Sequence, residues 1–160
     1  MIATERAVVA RATQAFACEQ WVATDLERTF AFFSDASNLE RITPGFLGFS
    51  ILTPRPIVMC RGAQIRYRLR LFGLFLDWLT RIEDWQPGRS FTDVQLRGPD
   101  ALWVHEHRFS RRGGGTLVED RVEYQLPLAP LSAPVRALFV QPTLQRIFRY
   151  RQRAIARILG

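Results

Sequence analysis

Lysine is missing from this chain: all 22 basic residues are arginine, the usage of a GC-rich genome. Against 15 acidic residues they leave a net charge of +7, which favours anionic partners. No basic run and no basic–aromatic interleaving of a nucleic-acid module accompanies that charge. Nucleic acid is therefore not expected as a partner, while peripheral contact with an anionic membrane is kept. The two cysteines, Cys18 and Cys60, have neither CxxC nor zinc-ligand spacing, which points to reduced thiols and a cytoplasmic location. No segment reaches the roughly 18 apolar residues of a membrane span. The first 13 residues, with Glu5, Arg6 and Arg11 among Ala and Val, are too broken for a signal-peptide core and are expected to be a flexible arm. Internal repeats and low-complexity segments are absent too.

What is present is the material for one core. The chain has 160 residues, 48% of them hydrophobic, with twelve Phe and four Trp. One domain over 14–160, wide enough for an aromatic-lined cavity, follows from these numbers.

The pattern begins with a strand over 14–22. Thr24, with Glu27 three residues on, predicts a capping box for a helix over 26–34 that turns Leu26, Phe30 and Phe33 to one side. A second helical turn over 37–42 stops before Pro44. From there the period is two. A short strand is predicted over 46–52, followed by the clean alternation of 64–71, apolar at odd positions and Arg at 66, 68 and 70. The run 76–85 alternates with Trp78, Thr80 and Ile82 on one face. Turn signals at 86–88, 98–100 and 113–115 separate strands over 90–97, 101–111 and 116–126. A tail over 134–159 is helical, with Pro142 kinking it or starting its main segment. Such a sheet needs cover on one face, and only the last helix is long enough to supply it.

The two histidines of the chain, His105 and His107, share a strand face with Trp103 and Phe109. Pairing Val94 with Val104 and Leu96 with Leu102 sets Asp93 opposite His105 and Gln95 opposite Trp103. In the next hairpin, placing Glu106 opposite Arg121 and Arg108 opposite Glu119 sets His107 opposite Asp120. The patterning of 90–97 alone would turn its even residues inward, but pairing ties that strand to its neighbours, so its odd residues are expected inside. The interior should then hold two His–Asp pairs beside Gln95, Thr80 and Tyr67. Arg151 falls in the apolar arc of the last helix, opposite Arg146, Arg149, Arg153 and Arg157, and must find a carboxylate or a ligand anion. Asp84, Asp93 and Asp120 are the protein candidates. Each histidine stands open as a structural hydrogen-bonded group, a donor to a ligand oxygen, or a general acid–base oriented by its Asp. Two His at i and i+2 with a nearby carboxylate also suit zinc.

The phrases Phe30-Ala-Phe-Phe-Ser-Asp35, Asn38-Leu-Glu-Arg-Ile-Thr-Pro44, Trp78-Leu-Thr-Arg-Ile82, Phe91-Thr-Asp93-Val-Gln95-Leu-Arg97-Gly98-Pro99 and Trp103-Val-His105-Glu-His107-Arg-Phe109 together carry a resemblance. Gly115-Thr116, Asp120, Tyr124 and Arg151 extend it, so that it covers about 14–159. The chain resembles the helix-grip superfamily of birch-pollen-allergen, START and polyketide cyclase/dehydrase proteins, grouped as SRPBCC domains. It is most similar to the bacterial cyclase/dehydrase or coenzyme-Q-binding-like branch. That resemblance implies an α+β fold: a curved antiparallel sheet of about seven strands around a long C-terminal helix, with two short helices after the first strand. It also implies a hydrophobic cavity that holds a lipid, quinone or polyketide-like ligand with a polar end. Tyr67, Trp78, Thr80, Asp93, Gln95, Trp103, His105, His107, Asp120 and Arg151 are its expected lining. A binder or carrier is expected; the alternative is a cyclase or dehydratase using His105 or His107 with Asp93 and Asp120. The resemblance calls for no metal and no cofactor, and fold alone does not choose between carrier and enzyme. Oligomeric state is left open.

Overall fold

The structure, a computed structural model, describes residues 13–71, 73–127 and 133–160. The expected N-terminal arm lies outside them except for Thr13. Seven strands form one antiparallel sheet in the order β1-β7-β6-β5-β4-β3-β2. They are β1 (Gln14–Val22), β2 (Ser50–Ile51), β3 (Gln64–Leu71), β4 (Leu74–Gln86), β5 (Ser90–Arg97), β6 (Leu102–Arg112) and β7 (Gly115–Gln125). Helix α1 (Leu26–Phe33) and two 3-10 turns (Ala36–Glu40 and Gly45–Leu47) fill the chain between β1 and β2. A short α turn (Ala133–Val135) and a π-helical turn (Arg136–Val140) lead into the long helix α2 (Gln141–Leu159). Pro142 sits in the first turn of α2, directly after the π-helical turn, in which the Gln141 N–H bonds the Arg136 carbonyl five residues back. Among the described residues no helix is long and apolar enough to cross a membrane.

Each strand shows the period of two that its sequence carries. In β3, Ile65 and Leu69 are buried while Arg66, Arg68 and Arg70 stand in solvent, Arg68 paired with Asp77 at 2.7 Å. In α2, Leu144, Phe148, Ala154 and Ile155 are buried and the four arginines opposite them are exposed. One core cluster joins Phe30 and Phe32 of α1 to Phe91, Phe109 and Val118 of the sheet and Ile155 of α2. A second sets Leu144 and Phe148 on Val122 and Tyr124.

The inner register is the expected one where it matters. Asp93 pairs with His105, Val94 with Val104 and His107 with Asp120. In β5, Phe91 turns into the core and Leu96 is 43% exposed, so pairing with the neighbours overrides that strand's own pattern. The β5–β6 ladder closes at Val94–Val104, and the Gln95–Trp103 and Leu96–Leu102 pairs do not form. The Ala101 N–H instead bonds the Gln125 carbonyl at 2.8 Å, which draws the start of β6 toward β7. Glu106 and Arg121, and Arg108 and Glu119, do stand opposite each other. Their ion pairs, however, run along the strands, Arg108–Glu106 at 2.8 Å and Arg121–Glu123 at 2.9 Å.

Three local expectations are corrected. The cap of α1 is Asp25, whose Oδ1 accepts the Arg28 N–H at 2.8 Å, and Glu27 reaches outward to Arg111. Thr24 has another task. Its hydroxyl donates to the Leu159 carbonyl at the end of α2, and its own carbonyl accepts the Thr116 hydroxyl at 2.9 Å. On α1 the buried side is Thr29, Phe30 and Phe32, with Leu26 and Phe33 half-buried beside it. The strand expected over 46–52 shrinks to two residues, because Pro44 starts a 3-10 turn and Gly48 ends it at a left-handed φ of 49°. Gly115 is required for a different reason. A Cβ there would sit 2.2 Å from the Val22 carbonyl oxygen, against the Trp21 ring.

Asp25→Ala should lower stability by about 1 kcal/mol, the usual worth of such a cap. Urea unfolding of the variant showing no loss would return the capping role to Thr24.

Candidate functional site

The sheet curves around α2 and leaves between them a cavity of about 390 Å³. Thr143, Leu144, Ile147, Phe148 and Arg151 of α2 form one wall, β3 to β6 the opposite one, and the two 3-10 turns the third. Most of that surface is apolar: Leu47, Ile65, Leu69, Leu76, Ile82 and Phe91 all contribute. The size falls in the range of about 300–1,000 Å³ usual for small-molecule sites.

A diagonal of polar groups crosses the inner face of the sheet from β3 to β1. It starts at Tyr67, whose hydroxyl hydrogen-bonds Thr80. Thr80 donates to Asp93 Oδ1 at 3.5 Å, and Asp93 Oδ2 faces His105 Nδ1 at 3.7 Å and His107 Nε2 at 3.6 Å. On their far sides both imidazoles meet one oxygen of Asp120. His105 Nε2 donates to Asp120 Oδ1 at 3.1 Å, and His107 Nδ1 lies 2.7 Å from the same atom. The second contact is short but off the N–H axis, an ion-pair approach rather than an aligned hydrogen bond. The expected two separate His–Asp pairs are thus one four-membered cluster, with Asp120 holding both rings and Asp93 facing both at longer range. His105 and His107 are each 6% exposed. Their rings lie 3.9 Å apart, with Phe91 4.4 Å from His107 and Phe148 5.7 Å from His105.

The electrostatics follow from burial and from this shared carboxylate. Burial works to raise Asp120, but the two imidazoles, His107 above all, outweigh it and hold the carboxyl well below the usual range. Burial, then the neighbouring His107, pushes His105 below the ordinary imidazole value. Burial opposes charge on His107 as well, but the Asp120 carboxylate prevails and raises it. Cys18, opposite Asp120 on β1, is pushed up to about 12 by burial and by that carboxylate, so it stays a thiol. Burial also pushes the Tyr67 phenol up, with Asp93 adding to it.

Tyr67, Trp78, Thr80, Asp93, Trp103, His105, His107 and Arg151 all line the cavity. Asp120 does not; it stands behind the histidines as their anchor. Gln95 does not either. Its Nε2 donates to the Asp100 carbonyl at 2.6 Å and the side chain folds over Gly98, so it shapes the β5–β6 turn. Arg151 makes no ion pair with Asp84, Asp93 or Asp120: its guanidinium lies over the Phe148 ring at 5.1 Å, and its buried Nε meets no acceptor. The Trp78 Nε1 is buried without an acceptor in the same way. Asp100 is a cavity residue that the pattern did not single out, since its place in a turn signal gave it another explanation. Burial pushes its carboxyl up to about 6.

No family model matches the chain, and no curated protein does. The likeness is to solved structures. The chain is similar to protein CV1439 from Chromobacterium violaceum, with a TM-score of 0.70 and 13% identity over 91% of this chain and 96% of that one. It is similar to major latex-like protein 151 from Panax ginseng, at 0.67 and 14% over 93% and 99%. It also matches a nucleoside-diphosphate sugar epimerase from Corynebacterium glutamicum, at 0.62 and 26%, over 89% of this chain and 28% of that one. In this chain too an antiparallel sheet grips a terminal helix around a largely apolar cavity. These likenesses show the helix-grip fold, here in a seven-stranded form.

Asp100 generates a pH prediction. An unfolded Asp titrates near 3.9, so between about pH 4 and pH 6 the folded protein holds more protons than the unfolded chain. Stability then falls as pH rises through that window. Asp100→Asn should remove the slope, matching the parent near pH 4 and exceeding it above pH 6 in urea unfolding. A variant less stable than the parent at pH 7 would overturn this account.

Proposed function

We propose that the cavity binds a hydrophobic small molecule, such as a lipid, quinone or polyketide, through an oxygen at one end, and that the protein acts as its binder or carrier. One observation supports this above the rest: Arg151 Nε and Trp78 Nε1 are buried donors without acceptors on the wall of an otherwise apolar chamber. A buried donor left unmet costs about 1–3 kcal/mol. A carbonyl, hydroxyl or carboxylate oxygen of a guest would recover that energy, while its hydrocarbon body covers the leucine and phenylalanine walls. Tyr67 and Thr80 add hydroxyls at the same end.

The opposite displacement of the two imidazoles favours a second reading, a cyclase or dehydratase. Groups whose environments push their proton affinities apart are suited to give and take protons in turn. In that reading the raised His107 acts as acid and the lowered His105 as base, oriented by Asp93 and Asp120.

Anilinonaphthalene sulfonate, an aromatic with an anionic oxygen end, serves as a probe. The native protein should bind it with a fluorescence gain, and Arg151→Met should weaken binding about tenfold, or ~1.4 kcal/mol. Equal affinity in parent and variant would remove Arg151 from the site and with it the main support for the polar end. Turnover of a linear poly-β-keto thioester, lost in His107→Gln with probe binding kept, would select the enzyme.

A further inference from the structure

We infer that Asp93, His105 and His107 form a binding site for a divalent transition-metal ion on the cavity wall, with a coordination position open to the guest. A neutral imidazole has one N–H and one lone pair, and the partner of the N–H decides which nitrogen keeps the lone pair. Asp120 Oδ1 takes the Nε2 side of His105 and the Nδ1 side of His107. The lone pairs left over, on His105 Nδ1 and His107 Nε2, then point toward Asp93 Oδ2. Three electron-rich atoms converge on one point, which is unfavourable unless a cation sits among them.

The distances select the kind of cation. A proton bridges two atoms at about 2.7–3.2 Å. Here the gaps from Asp93 Oδ2 are 3.7 Å and 3.6 Å, too long for that. A metal with arms of about 2.0–2.2 Å sets its tetrahedral ligands roughly 3.3–3.6 Å apart. All three ligand atoms lie within 4.8 Å of one another, so a small rotation of the rings completes the set.

The surrounding shell is of the type that metal sites use. Imidazole ligands usually pass their other N–H to a carboxylate, which fixes the ring and strengthens the donor. Asp120 does this for His105 and stands 2.7 Å from the matching nitrogen of His107, and Thr80 holds Asp93 Oδ1 so that Oδ2 is the free oxygen. Two imidazoles and one carboxylate suit zinc, cobalt, nickel or ferrous iron and leave room for a further ligand. All three residues line the cavity, so the open position faces it. An oxygen of a bound guest is the ligand it would take, as an anchor or as a group polarised by the ion.

Tag-free protein stripped with chelator and titrated with Co²⁺ tests the site by visible absorption and calorimetry. One equivalent should bind, with d–d bands of a low-coordinate nitrogen–oxygen site and no thiolate charge-transfer band. Asp93→Asn and His107→Gln should each weaken binding at least tenfold, and Asp120→Asn, which removes only the outer partner, by about 10–100-fold. Circular dichroism and urea unfolding confirm that each variant is folded; one that is not is replaced by His105→Gln. No stoichiometric binding by the parent, affinity unchanged in the ligand variants, or a thiolate band tracing the metal to Cys60 would each overturn the assignment. The titration contains no organic guest, so its failure leaves the proposed binding of hydrophobic molecules standing.

Discussion

Everything at the polar end of this molecule depends on one buried carboxylate. Asp120 is 8% exposed, and a lone ion so placed would be strongly unfavourable. Its stability in that place comes from two imidazoles on the adjacent strand, which in turn have no other carboxylate within hydrogen-bond reach. The dependence is mutual. Asp120 holds the His105 ring by a hydrogen bond and the His107 ring by a close ion-pair approach, hence what they present to Asp93 and to the cavity. A register slip of one residue between β6 and β7 would leave the carboxylate outside and the rings unpaired, so the cluster is also a check on correct strand pairing.

The cluster explains why the inner face of β5 and β6 is so polar in a sheet that otherwise alternates cleanly. Across the diagonal from Tyr67 to Cys18 the polar groups hand hydrogen bonds and charge to one another from strand to strand. Around that diagonal the walls are hydrocarbon. A guest of the proposed kind would be sorted by orientation as well as by size, its oxygen meeting the unpartnered donors of Arg151 and Trp78 and its hydrocarbon the apolar walls.

Much of this arrangement could be read before any coordinates. The alternation of 64–71, the turn signals and the opposite charges at 106/121 and 108/119 placed β3 to β7 and set His107 across from Asp120. The apolar arc of the last helix put Arg151 inside. What escaped was decided by contacts between distant segments. Thr24 and Asp25 are both good caps, and only the arrival of Leu159 and Thr116 assigns Thr24 elsewhere. Gln95 looked like a cavity residue because strand pairing was extended two residues beyond the point where Ala101 turns to Gln125. A single shared anchor, as opposed to two separate pairs, depends on ring orientations, which residue spacing does not encode. Arg151 had an evident need for a partner, and sequence offers no means of seeing that the acidic side chains pass it by.

The tie between Thr24 and Leu159 has a bearing on how the chain is made. Those residues are 135 positions apart, and Trp21 of β1 bonds to Arg112, 91 positions away. At a synthesis rate of about 5–20 residues per second, the first strand leaves the ribosome many seconds before its neighbour β7 exists. In that interval its edge is unpaired, and its defence against joining another nascent chain is composition: Glu19 and Gln20 within it, and a tryptophan that finds its acceptor only when β6 arrives. The domain is thus closed by contacts between its first strand and helix entry and the elements made last.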